Sequence, residues 1–213
     1  QELFAVGFPA VVSVSGGLAI PIISALRYAT SMSSSSATTI RSRFGHRRRD
    51  RVLALILAVA LPLVLGGAGG VVTAAAIPGW YAELSKPSWN PPSWVFGPVW
   101  TTLYLLMGVA SWRVWRSQLL AGAGPGAQQR VRSALVTYSG QLALNAVWSP
   151  VFFGLKRIDL ALVVIVLLLV AIIETIRRFA QLDRPAAAML LPYLSWVSFA
   201  TILNATLLLL NRS

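Results

Sequence analysis

The chain has 213 residues, 56 % of them hydrophobic and only 11 % charged, with a formal charge of +12, one histidine and no cysteine. A soluble domain carries roughly 25 % charged residues, so a water-soluble enzyme is excluded and the long apolar blocks mark an all-α integral membrane protein. Without cysteine there are no disulfides, thiolate nucleophiles or cysteine-bound metals, and His46 alone builds no metal site, so none is expected.

In chain order, residues 1–50 read as an N-terminal extension and residues 51–213 as the membrane domain. The apolar stretch 3–26 is broken by Gly7, Pro9, Gly16, Gly17 and Pro21 and stands as a candidate sixth span. A Ser/Thr tract over 31–39 and a basic run over 41–51 have the composition of a targeting segment or of a plain basic flank, and Met32 offers an alternative start. Spans are then expected at 52–76, 94–119, 131–155, 158–180 and 186–210, each near the 20 residues that cross a hydrocarbon core. Short connections make successive helices antiparallel neighbours, so the expected architecture is an up-down bundle of five transmembrane helices.

The basic residues fit that count. Arg41, Arg43, Arg47, Arg48, Arg49, Arg51, Arg113, Arg116, Arg130, Arg132, Arg177, Arg178 and Arg184 fall on one side, and Lys86, Lys156, Arg157 and Arg212 on the other. Thirteen against four is the asymmetry that orients a membrane protein, with the N-terminal basic run inside. Charge spread in this way tracks a bilayer, so no nucleic-acid partner is expected.

Lipid-facing helices need only aliphatic residues, so the rings and amides inside the spans require a reason. Trp100, Tyr104 and Gly108 follow i, i+4, i+8; Gln141, Asn145, Trp148 and Phe152 follow i, i+4, i+7, i+11; Tyr193, Trp196, Ala200 and Asn204 follow i, i+3, i+7, i+11. Three helices thus each present a face of rings mixed with amides or hydroxyls, which lipid disfavours. If Gln141, Asn145 and Asn204 only join helices, each contact contributes about 0.6 kcal/mol. The rings beside them favour an aromatic ligand cavity. Gly66 and Gly70 form a small-xxx-small pair suited to close helix contact. Glu174 is expected to pair with Arg177 or Arg178. No carboxylate pair, Ser/His/Asp set or phosphate-binding glycine loop appears, so acid–base catalysis has no visible residues.

The segment PGWYAELSKPSWNPPSWVFGPVW, residues 78–100, is stiffened by prolines at 78, 87, 91, 92 and 98. With Trp80, Tyr81, Trp89 and Trp94 it is expected to form a rigid aromatic lid. The stretches WYAELSKPSWNPPSWVFGPVWTTLYLLMGVASWRVW from Trp80, QLALNAVWSPVFFGLKRIDLAL from Gln141 and LLPYLSWVSFATILN from Leu190 resemble the tryptophan-rich sensory protein / translocator protein family, the peripheral-type benzodiazepine receptor group. The resemblance covers residues 52–212.

That resemblance implies a five-helix membrane bundle, a homodimer in many members, that binds porphyrins such as protoporphyrin IX or haem as ligand rather than as an obligatory cofactor. It carries ligand contacts to Tyr81, Trp100, Asn145, Trp196 and Ala200, beside Tyr104, Gln141 and Trp148 from the helical faces. Light- and oxygen-dependent porphyrin degradation in bacterial relatives would assign Trp100 and Trp196 a photochemical role. The expectation is a multi-pass receptor or carrier of tetrapyrrole homeostasis or stress signalling, in a bacterial or organelle membrane. Its alternatives are a passive transporter of porphyrins or other hydrophobic ligands, and a porphyrin-responsive scaffold. The sterol-recognition pattern of animal members lacks its tyrosine in Leu203-Asn204-Ala205-Thr206-Leu207, so sterol import is not expected.

Overall fold

The computed structural model describes residues 20–120 and 125–212, all helix, turn or short connection. The candidate span at 3–26 lies, for residues 3–19, outside the described residues. The chain divides into two compact units, Gln1–Arg49 and Asp50–Ser213. In the first, residues 20–49 are helical backbone. Everything below concerns the second.

Its long helices are α1 (Ile20–Ala76, here from Asp50), α3 (Phe96–Leu120), α4 (Pro125–Ser149), α5 (Ile158–Ala180) and α7 (Leu191–Leu210), with short helices α2 (Trp80–Glu83) and α6 (Arg184–Ala188) between them. The fold is an all-α bundle of five long helices in a membrane protein. Among the described residues, four helices are long and apolar enough to cross a membrane, and α4 is not among them. At 25 residues α4 has the length; its apolar character is diluted by Gln141, Asn145 and its serines, the first two of which face inward and are buried.

Helix α5 shows why these segments pack as they do. Ile158, Ala161, Ile165, Leu168, Ile172, Thr175 and Phe179 recur at three- and four-residue intervals and are buried. The opposite face, with Val163, Leu167 and Val170, is exposed and apolar, as lipid requires. α5 packs against α4, α6 and α7. Because lipid tails are as apolar as leucine, close packing and polar contacts between helices hold such a bundle together.

Prolines shape two helices. The predicted span at 186–210 is present as one membrane-length stretch, Arg184–Leu210, interrupted by a turn at Met189-Leu190: Pro192 has no N–H to offer the Ala188 carbonyl, and α7 begins at Leu191 with Pro192 in its first turn. At the other end of α4, Pro150 opens a π-turn, Pro150–Gly154, closed by the Leu155 amide donating to the Pro150 carbonyl at 2.8 Å. The tight link to α5 then places Lys156 at φ 56°.

Ion pairs close the helix ends. Asp183 caps α6 by accepting from the Ala186 amide at 2.9 Å and binds Arg113 of α3 at 3.1 Å. Glu174 pairs with Arg178 at 2.7 Å, one turn on, as expected. The close approach expected at the glycine pair occurs at Gly66, where a Cβ would run into the Tyr104 ring of α3. Gly70 has open space at that position.

Candidate ligand cavity

The bundle holds a partly open cavity of about 410 Å³, walled by α1, α3, α4, α5 and α7 and by the connection that contains α2. Tyr81, Trp100, Tyr104, Asn145, Trp148, Trp196 and Ala200 all line it. Gln141 does not: it lies one turn before Asn145 on the same face of α4, 1 % exposed, with neither amide atom hydrogen-bonded among the described residues.

The aromatic wall is built of interlocked rings. Trp100 stacks on Tyr104 with centroids 5.3 Å apart and meets Tyr193 edge-on at 6.2 Å. Trp148 stacks on Phe152 at 5.1 Å, and Trp196 meets Phe96 edge-on at 5.8 Å. Offset and edge contacts at these distances hold the rings beyond what burial alone supplies. Trp100 and Trp196, from α3 and α7, thus share one apolar chamber.

Polar groups are few and engaged. Tyr104 donates to Asn145 Oδ1 at 2.9 Å, and Asn145 Nδ2 donates to the Tyr193 hydroxyl at 3.0 Å. Asn204 accepts from Trp148 Nε1 at 3.3 Å and donates to the Ile158 carbonyl at 3.0 Å. Asn145 and Asn204 therefore join helices and line the cavity at once. The two readings of these amides are not exclusive.

Sequence reasoning missed a hydroxyl pair on the wall. Thr73 Oγ1 and Ser149 Oγ lie 2.7 Å apart, and both reach the Gly69 carbonyl, at 3.0 and 3.1 Å. The signal was present in part, because Thr73 stands four residues after Gly69, where a threonine hydroxyl returns to the preceding turn. Ser149 comes from α4, and only the fold brings it there. The glycine run contributes Gly66, Gly67, Gly69 and Gly70 to the same wall. Its lack of side chains makes room as well as contact.

The connection from Ile77 onward caps one end. Tyr81 is 7 % exposed, packs edge-on against Phe152 and Phe153, and donates to Asn90 Oδ1 at 3.0 Å. Burial raises its phenol pKa, with the Asn90 bond acting in the opposite direction. Trp80 lies against Phe152 and Trp89 against Phe199. Trp94 is 75 % exposed and takes no part in the cap. Asn211, just past α7, clasps the segment by accepting from the Ser85 amide at 2.9 Å and donating to its carbonyl at 3.0 Å.

This arrangement has relatives. The model of the TspO/MBR family matches residues 58–210, which include every cavity residue named above. The chain belongs to the TspO/MBR family. It is 43 % identical over 161 residues to the tryptophan-rich protein TspO of Chlorobaculum tepidum, covering 76 % of this chain and 98 % of that one. It is 45 % identical over 125 residues to the human translocator protein, covering 59 % of this chain and 70 % of that protein. The tryptophan-rich sensory protein of Cereibacter sphaeroides is 44 % identical over 132 residues, covering 62 % and 77 % respectively. As a TspO/MBR protein the chain is an integral membrane protein, and the segment that carried the resemblance in sequence is the one that caps the cavity. Among the described residues, no cluster of His, Asp or Glu is placed to hold a metal ion.

Proposed function

We propose that the cavity receives a porphyrin-type tetrapyrrole, protoporphyrin IX or haem, and that the protein is a membrane receptor or carrier for it. The observation that carries this reading is one apolar chamber in which Trp100 and Trp196 share the wall with Tyr104, Trp148 and the Asn145 amide. A flat macrocycle suits aromatic walls, and the few amides and hydroxyls supply orientation in the manner of ordinary ligand sites. In light, the excited macrocycle transfers energy to dioxygen, and the oxygen species formed there adds to the macrocycle or to the nearest electron-rich ring. Three indoles, Trp100, Trp148 and Trp196, line the cavity, and in this reading the photochemical role falls to Trp100 and Trp196.

The test is a tryptophan-fluorescence titration with protoporphyrin IX in the dark, followed by absorbance under illumination. The reading expects saturable quenching, lost when both Trp100 and Trp196 are replaced by alanine. It also expects light-driven porphyrin loss, slowed in Trp100→Phe and Trp196→Phe. Absence of saturable quenching in the unaltered protein removes the porphyrin; unchanged bleaching in both phenylalanine variants removes the photochemical role.

A further inference from the structure

Helices α1 and α3 touch at two levels and part at a third. A Cβ on Gly108 of α3 would stand 2.6 Å from Val59 Cα, and one on Gly66 of α1 would run into the Tyr104 ring, so the helices are in contact at both. The same antiparallel register carries Gly70 of α1 opposite the first turn of α3, which holds Gly97. There the contact ends: a Cβ on Gly67, Gly70 or Gly97 would meet nothing within 4 Å. Gly67, Gly70 and Ala74 on one side and Ser93, Gly97 and Thr101 on the other are exposed, and all six line the cavity. Residues that are at once exposed and part of a cavity wall mark its opening, and this one is a slot in the flank of the bundle.

The end of the cavity is closed by contrast. Trp80 and Tyr81 lie against Phe152, and Asn211 pins the capping segment at Ser85. None of the six slot residues is charged, and Thr101 returns its hydroxyl to the Gly97 carbonyl at 2.9 Å, so the slot tolerates lipid. Beside Ser93 stands Trp94, 75 % exposed, an indole suited to the membrane–water interface. From that level to Thr101 the chain descends about 10 Å at about 1.5 Å per residue. The slot therefore opens into the hydrocarbon of the leaflet opposite the arginine-rich side.

We propose that guests enter the cavity sideways from the bilayer, through this slot between α1 and α3, while the cap stays shut. The route suits a flat lipophilic molecule already dissolved in that leaflet. For a porphyrin guest, and resting on the porphyrin reading, the slot also sets an orientation. The macrocycle leads, and its propionates trail toward Ser93 and the headgroups, because a carboxylate buried without a partner is costly and no residue lining the cavity is charged.

Stopped-flow tryptophan quenching in the dark, with protoporphyrin IX supplied in liposomes that hold the full chain, tests the route. Gly70→Leu and Gly97→Leu each put a side chain into open space at the slot. Both are expected to slow association and dissociation together, by about tenfold each, since a plug hinders passage in both directions. Asn211→Ala, which loosens the cap, is expected to leave both rates as they are. Unchanged rates in both leucine variants, or faster release with unchanged association, overturns the proposal, and so does acceleration of both rates in Asn211→Ala. A nitroxide attached at Gly97→Cys, in a chain with no other cysteine, reads the slot without porphyrin. Lipid-dissolved dioxygen should relax it more than a water-soluble nickel chelate does; the reverse overturns lateral entry. If the unaltered protein shows no saturable quenching, the porphyrin reading fails and the nitroxide result alone decides whether the slot faces lipid.

Discussion

The hydroxyl of Tyr104 and the amide of Asn145 meet at 2.9 Å between α3 and α4, and the other end of the same amide holds Tyr193 of α7 at 3.0 Å. One side chain thus ties three helices. Polar contacts between membrane helices average about 0.6 kcal/mol, with a maximum near 1.7, but Asn145→Ala strands two buried phenols together. Its expected cost is about 2–3 kcal/mol, read as a fall in the thermal midpoint in detergent. Tyr193→Phe removes one bond only and should lose less than half as much. Equal losses would show that the amide does not act as a bridge.

Gly108 sits where α3 crosses α1. A Cβ there would stand 2.6 Å from Val59 Cα and 2.8 Å from the Ala58 carbonyl oxygen, both backbone atoms that cannot step aside. Gly108→Ala should force the helices apart and destabilise by about 1–3 kcal/mol. Gly140→Ala in α4 is the control: its Cβ meets nothing within 4 Å, and helix propensity favours it by up to about 1 kcal/mol. A Gly108→Ala protein as stable as Gly140→Ala would contradict the close crossing.

Gln141 gives a prediction of opposite sign. Its amide is buried with neither atom paired among the described residues. An unpaired buried polar group costs about 1–3 kcal/mol. Gln141→Met, close in volume and without donors, is therefore expected to raise the unfolding midpoint. It should leave the cavity wall unchanged, since Gln141 is not part of it. A lower midpoint would mean that the amide is satisfied by a bound water.

The Asn211 clasp on Ser85 bridges 126 positions of sequence to pin the capping segment. Asn211→Ala removes both bonds while leaving Tyr81 seated on its phenylalanines. The expected result is faster tryptic cleavage after Lys86 with little change in global stability, because Lys86 lies in the pinned segment beside its carbonyl contacts at Ala82 and Leu84. Unchanged cleavage would show that the aromatic contacts alone hold the cap.

Much of this was legible before the fold. Periodicity placed Trp100 with Tyr104, and Trp196 with Ala200, on single faces, and those faces do line one cavity. Periodicity has no depth, however. Gln141 and Asn145 share a face of α4, yet one lines the cavity and the other is sealed one turn away. Which turn meets the void depends on how α3 and α7 cross it. Proline positions were visible, but the turn at Met189-Leu190 between α6 and α7 was not, since a proline alone does not say whether a helix bends or is interrupted. The Thr73–Ser149 pair joins residues 76 positions apart and leaves no local trace. Trp94 looked like its neighbours in the capping segment, yet on the short helical turn Ser93–Val95 it is exposed.

Gly66 abuts the Tyr104 ring, Trp100 stacks on it, and Asn145 holds its hydroxyl. That tyrosine is confined from three directions, and its neighbours in the wall are confined in turn. Most side chains that meet a ligand must first give up rotamer freedom, about 0.5–1.5 kcal/mol for each one immobilised. Here the conformational entropy of the wall has already been lost in folding. A rigid apolar guest entering the cavity meets a shape set in advance, so its affinity should depend on fit more than on the rearrangement of its host.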